Sequence, residues 1–226
     1  MADADEPAFD LADAFSVSSP ADNRRLYAAW ATTYDRDFVA SHGYVYHESV
    51  VAALLDRRHP DGPVLDVGCG TGVVGAELRR RGLAVVDGVD LSPEMLQIAA
   101  GKLHDDGAPV YRNLIEADLT ATTPIARGEY SGIVSAGTFT HGHLGPEPID
   151  ELLAIARPGA VLALGVNGRH FDAAGFGDWF VAATTDGRVR DLEIIELPIY
   201  DRSRYSAADA AEHAGTVAAV AVFVRQ

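Results

Sequence analysis

Val64-Leu65-Asp66-Val67-Gly68-Cys69-Gly70-Thr71-Gly72 reads as an apolar strand running directly into three alternating glycines, with a helical pattern behind them. Glycine lets the chain turn sharply and lets a ligand approach the main chain where a Cβ would collide. In open α/β sheets, a loop of this kind lies beyond the carboxyl end of its strand, where ligands bind. Three glycines at alternate positions exceed what a tight turn alone requires. The stretch therefore predicts a ligand-binding α/β domain.

The flanking sequence continues the alternation. After the loop, Val74 and Leu78 share one helical face, Arg79–Arg81 suit the C-terminal dipole, and Gly82 ends the helix. Leu83–Val89 reads as a second strand, and Ser92-Pro93-Glu94 opens a helix with an N-cap, a first-turn proline and an early acid. Val110–Glu116 and Tyr130–Ala136 read as further strands. Ile149, Leu152, Leu153 and Ala156 form a helical stripe that Pro158-Gly159 is expected to stop, ahead of a fifth strand, Ala160–Val166. A helical stretch is expected over Ala173–Thr185, then two strands, Asp191–Ile199 and Val217–Val224. Alternating strand and helix imply a mostly parallel sheet covered on both faces, a three-layer α/β sandwich. The last two strands are too close for both to follow parallel crossovers, so at least one is antiparallel.

Upstream, Asn23 to about Arg58 reads as a helical cap broken near Ser41–Gly43, with Leu26, Trp30 and Tyr34 spaced i, i+4, i+8. The leader, residues 1–22, holds six acids and no bases and is expected to be a poorly ordered arm. Residues 23–226 then form one domain: cap over 23–58, cofactor-binding core over 63–166, and C-terminal strands over 167–226.

Lys+Arg 18 against Asp+Glu 33 gives a formal charge of −15 over 226 residues. That balance argues against a nucleic-acid partner and against anionic membrane surfaces. No apolar run approaches the ~20 residues of a spanning helix, and no secretory signal is visible, so a cytoplasmic location is expected. Cys69 is the one cysteine, which excludes an intrachain disulfide and a thiolate-only zinc site. It reads as a small packing residue of the loop. Lys102 is the one lysine.

Two ligands compete for the loop. Gly70-Thr71-Gly72-Val73-Val74-Gly75 matches G-x-G-x-x-G, and Asp90 follows Gly70 by twenty residues, as in a dinucleotide fingerprint. Asp66, however, sits immediately before the loop, and a pyrophosphate wants N–H groups without a carboxylate nearby. S-adenosylmethionine carries an ammonium and a sulfonium and no phosphate, so it favours the acid. Asp90 ends the second strand, where its carboxylate could accept from ribose hydroxyls; Asp118, after the third, could accept from an adenine amino group. Leu91, Met95 and Leu119 supply apolar surface for the purine.

On these residues the chain resembles the class I S-adenosylmethionine-dependent methyltransferases. It looks similar in particular to the small methyltransferases named after the Williams–Beuren region. The carriers are Tyr34-Asp35, Gly43-Tyr44, Asp90-Leu91-Ser92-Pro93-Glu94-Met95-Leu96 and Gly137-Thr138-Phe139-Thr140-His141-Gly142-His143. Pro158-Gly159-Ala160 departs from the usual Pro-Gly-Gly. The resemblance implies a Rossmann-like, seven-stranded sheet in the order 3-2-1-4-5-7-6 with strand 7 antiparallel. It also implies Tyr34, Asp66, Gly68, Cys69, Gly70, Asp90, Leu91, Met95, Asp118, Leu119 and Ser135 at the cofactor.

Methyl transfer from a sulfonium needs alignment and exclusion of water, and a base only if the acceptor arrives protonated. In the family topology, Ser135–His143 borders the methyl group. His141 and His143 are the candidate bases, with His42 and His47 near the cap's break as further candidates. No third ligand completes a metal site with them, and none is expected. Tyr27, Trp30 and Tyr34 form a candidate aromatic lid for a cation. Neither an Asp/Asn-Pro-Pro-Tyr/Phe motif nor an Asp-Asp-Asn metal arrangement is recognisable, which leaves a small-molecule acceptor at oxygen, nitrogen or sulfur. The alternatives are an NAD-dependent oxidoreductase on the same glycines and a non-catalytic S-adenosylmethionine-binding protein.

Overall fold

The structure, a computed structural model, describes residues 44–57, 59–140, 144–201 and 217–226. Its elements run α1 (Tyr46–Arg57), β1 (Val64–Val67), α2 (Val73–Arg80), β2 (Val86–Asp90), α3 (Pro93–Ala100), β3 (Asn113–Glu116) and β4 (Tyr130–Phe139). They continue α4 (Pro148–Ile155), β5 (Ala156–Asn167), α5 (Gly168–Ala173), α6 (Phe176–Thr185), β6 (Val189–Pro198) and β7 (Val217–Arg225). The seven strands form one sheet in the order β3-β2-β1-β4-β5-β7-β6. The first five are parallel, and β7 runs antiparallel to both β5 and β6.

Side-chain alternation explains why the sheet is covered twice. Along β5 and β7, Val161, Ala163, Val220 and Val222 face one side, and Leu162, Leu164, Ala221 and Phe223 the other. Val50, Val51 and Leu54 of α1, Val74 and Leu78 of α2 and Leu96 of α3 cover the first face. Ile149 and Leu152 of α4 with Phe176 and Phe180 of α6 cover the second. Strands buried on both faces read as unbroken apolar runs, which is the pattern of a parallel sheet. Among the described residues no helix is long and apolar enough to cross a membrane.

Several boundaries moved. The α4 stripe ends at Ile155, not at Pro158, and Ala156 is already extended with ψ 149°. Proline disfavours the helical region for its predecessor, so Arg157 cannot be helical, and β5 begins upstream of Pro158-Gly159. The helix expected over Ala173–Thr185 is α6, which starts only at Phe176 after Gly175 (φ +78°), and a further short helix, α5, precedes it. β4 runs three residues past Ala136, through a register irregularity between Ser135 and Phe139. β3 is confined to Asn113–Glu116, an edge strand. The expected Ser92 cap forms: its hydroxyl accepts from Met95 N–H at 3.2 Å. The leader and the cap up to Gly43 lie outside the described residues.

Candidate active site

The carboxyl ends of β1, β2 and β4 meet around the glycine loop, residues 68–72. Val89 carbonyl accepts from Gly68 N–H (2.8 Å) and Cys69 N–H (3.0 Å), and Cys69 carbonyl accepts from Gly72 N–H (2.8 Å). Gly70 N–H goes to Asp90 Oδ2 at 2.8 Å. Four loop N–H groups are thus donated within the protein, and a pyrophosphate would find them engaged.

The glycines divide by what surrounds them. A Cβ on Gly68 would strike Thr138, and one on Gly75 would strike the Tyr111 ring. Gly70, with φ +52°, has no atom of the described residues within 4 Å of where its Cβ would stand. Among the described residues it is the loop position that leaves space for a ligand.

Asp66 is fully buried; its Oδ2 accepts from the Tyr111 hydroxyl at 2.7 Å, and its Oδ1 has no hydrogen-bond partner among the described residues. Burial pushes this carboxyl up to about 7; Tyr111 and the Gly75 N–H pull down on it, and the Asp90 charge pushes further. Asp90 accepts from Gly70 N–H and, through Oδ1, from Ser92 N–H at 2.9 Å. Burial still holds its carboxyl above the ordinary value, the N–H groups of Ser92, Gly70 and Leu91 opposing. Burial likewise raises the Cys69 thiol, with Asp66 and Asp90 adding to it, so this thiol is no nucleophile.

The remaining predicted residues fall around this centre. Ser135 is fully buried and donates to Val67 carbonyl at 2.9 Å, beside Thr138, which donates to the same oxygen at 3.0 Å. Both tie β4 to the start of the loop. Met95 and Leu119 are buried and Leu91 half-buried. Asp118 Oδ1 accepts from the Thr120 N–H (2.8 Å) and hydroxyl (2.6 Å), closing a local turn at the end of β3. Tyr34, His42, His141 and His143 lie outside the described residues, as do Tyr27 and Trp30. His47 stacks on Tyr44, with centroids 5.6 Å apart.

Three contributors were missed. Tyr111 gave no signal, because its partners Asp66 and Gly75 are 45 and 36 residues away. Thr138 lay within a quoted motif without a role. Tyr44, Tyr46 and Tyr200 form an aromatic group in which Tyr44 pairs with Tyr200 across an antiparallel bridge. The Tyr44 hydroxyl lies 3.8 Å from a Cβ position at Gly137, where β4 kinks with φ +95°. This brings the described end of the cap to the rim of the site.

Residues 64–159 match the family described as a methyltransferase domain. Human methyltransferase-like protein 27 is 31% identical over 158 residues, covering 67% of this chain and 60% of that protein. Ribosomal RNA small subunit methyltransferase C of Ectopseudomonas mendocina is 38% identical over 114 residues, 46% of this chain and 30% of that one. The chain therefore spans less than two thirds of these relatives' lengths. The structure of Haemonchus contortus phosphoethanolamine N-methyltransferase 2 with phosphomonomethylethanolamine and S-adenosylhomocysteine superposes with a TM-score of 0.63 at 14% identity, over 91% of this chain and 59% of that one. Residues 64–159 thus match a methyltransferase domain, and the sheet has the order of the class I, S-adenosylmethionine-dependent methyltransferases. The chain's own residues suit that cofactor: Gly70 leaves room, and the buried Asp66 and half-buried Asp90 favour a cation free of phosphate.

Proposed function

We propose that this protein transfers a methyl group from S-adenosylmethionine to a small-molecule acceptor at oxygen, nitrogen or sulfur, by in-line displacement. The observation carrying the proposal is the inverted polarity of the glycine loop. Its N–H groups are turned inward onto Val89, Cys69 and Asp90, and buried carboxylates stand where a phosphate site would present donors. An NAD-dependent oxidoreductase needs the opposite arrangement.

The cofactor supplies a methyl group already activated on a sulfonium. The protein's part is to hold and orient, with Asp90 and Gly70 at the crevice and Leu91, Met95 and Leu119 as apolar neighbours. Tyr34 and Ser135 are assigned to the cofactor side on the family motif. Where the acceptor arrives protonated, His141 or His143 takes the proton, since imidazole titrates near neutral pH. Relatives named for ribosomal RNA and transfer RNA substrates bring a nucleic-acid acceptor into consideration. The charge of −15 opposes it, because an RNA substrate would require a basic face. Relatives named for ubiquinone biosynthesis and magnesium-protoporphyrin O-methylation support a small acceptor.

Calorimetric titration with S-adenosylhomocysteine and with NADH tests the cofactor half; binding of NADH in preference would overturn it. Incubation of metabolite extract and of total RNA with a labelled methyl donor tests the acceptor half. Label is expected in a small compound that fails to gain mass when His141 and His143 are both replaced by alanine. Label confined to RNA would overturn the small-molecule assignment.

A further inference from the structure

Tyr111 is buried at the start of the segment leading into β3, yet it makes its contacts around the glycine loop. A Cβ on Gly72 would come within 2.9 Å of its ring, one on Gly88 within 3.0 Å, and one on Gly75 would overlap it. Gly88 is the register partner of Asp66 across β1 and β2, so the ring lies over the same strip of sheet as that carboxylate. Three glycines, one each from the loop, α2 and β2, thus form a slot for one aromatic ring, whose hydroxyl ends on Asp66 Oδ2 at 2.7 Å. Among the described residues, the second Asp66 oxygen has no partner. The described groups facing Asp66 are Tyr111, the Gly75 N–H, Cys69 and Asp90, with Lys102 running beside Gly72. None of the described side chains acting on Asp66 is a cation.

We propose that Tyr111 is a positioning residue that sets the preference for donor over product. Seated in its glycine slot, it holds the Asp66 carboxylate under the loop without neutralising it, so a cationic ligand binds more tightly than a neutral one. S-adenosylmethionine carries a net charge of +1 when its sulfonium, ammonium and carboxylate are summed, and S-adenosylhomocysteine carries zero. A negative charge buried beneath the crevice distinguishes the two with no contact to the methyl group. Product leaves more readily for the same reason. This rests on the cofactor reading above.

The test is the ratio of dissociation constants, product over donor, measured by calorimetry from pH 6 to 9. In the wild-type protein the ratio should rise by about three- to tenfold through neutrality, as Asp66 ionises. Tyr111→Phe keeps the ring and removes the hydroxyl, so the carboxylate loses its one side-chain donor and ionises at higher pH. Its rise should move to higher pH, lowering the ratio at pH 7 while product affinity changes less than about twofold. Asp66→Asn should give a flat profile. A carbon-13 signal from the Asp66 carboxyl of the wild-type protein should titrate at lower pH with donor bound than with product bound. A flat wild-type profile, a rise that survives in Asp66→Asn, or Tyr111→Phe weakening both ligands equally without moving the profile would each overturn the proposal. Wild-type protein that binds neither ligand would instead overturn the cofactor reading on which it stands.

Discussion

Asp87 and Asp90 sit three residues apart on β2, on opposite faces and toward opposite ends of the strand, the first buried and the second half-buried, and their surroundings differ sharply. Asp87 accepts from Arg112 through two nitrogens (3.0 and 2.5 Å), from the Tyr130 hydroxyl at 2.9 Å, and from Asn113 through both its backbone and side-chain nitrogens. Burial pushes it up, but Arg112, Tyr130 and Asn113 more than offset this, and its carboxyl lies below the ordinary range. Among the described residues, Asp90 and its neighbour Asp66 have only neutral donors, and both are held above that range. The amino end of the sheet uses charge to fasten the edge strand β3. The carboxyl end keeps negative charge incompletely compensated, which is where perturbed acids mark a working site.

That contrast can be broken in four places. Asp87→Ala should have the largest effect, about 3 kcal/mol of unfolding free energy, because it strands the buried Tyr130 hydroxyl and the donors of Asn113. Denaturant titration measures this, and cofactor affinity should not change. Next, Asp90→Ala should weaken both S-adenosylmethionine and S-adenosylhomocysteine by about 10- to 100-fold, or roughly 1.4–2.7 kcal/mol, with a small change in stability. Unchanged affinity in calorimetry would remove Asp90 from the site.

The third concerns the loop itself. Gly75→Ala should cost about 1–3 kcal/mol of stability by displacing the Tyr111 ring. Gly70→Ala should cost only about 1 kcal/mol, for its positive φ, while reducing cofactor affinity more than Gly75→Ala does. Thermal melts with and without S-adenosylhomocysteine separate the two.

The fourth is a pH slope. A carboxyl raised by folding binds its proton more tightly in the native state, so stability falls as pH rises from its unfolded pKa, near 4, to about 7. Asp66→Asn should remove that slope, becoming more stable relative to wild type as pH rises through this range. Asp87 has the opposite sign: the stability it contributes is lost as pH falls through and below 4. Chemical denaturation of wild type and Asp66→Asn between about pH 4 and pH 8 checks the first, and of wild type and Asp87→Ala below about pH 4 the second.

Period and punctuation made the layers of this protein legible in its sequence. Apolar runs at β1, β5 and β7 announced strands covered on both faces, and Ser92-Pro93-Glu94 announced a helix start, because these signals depend on neighbours within one or two turns. The order 3-2-1-4-5-7-6 was legible only by family resemblance; pattern alone gave one antiparallel strand and no order. In the site, Asp66, Gly70 and Asp90 were readable from their places at strand ends.

By itself, then, the sequence determined the local elements, the acidic character and the glycine turn, each set by residues adjacent along the chain. Only the tertiary structure decided what the glycines are for. Gly70 faces open space, whereas Gly72, Gly75 and Gly88 make way for Tyr111, and Gly68 makes way for Thr138. It also decided which buried acid is neutralised and which is not. Both outcomes depend on close packing and burial between segments tens of residues apart, where a fraction of an ångström or a single missing donor changes the result.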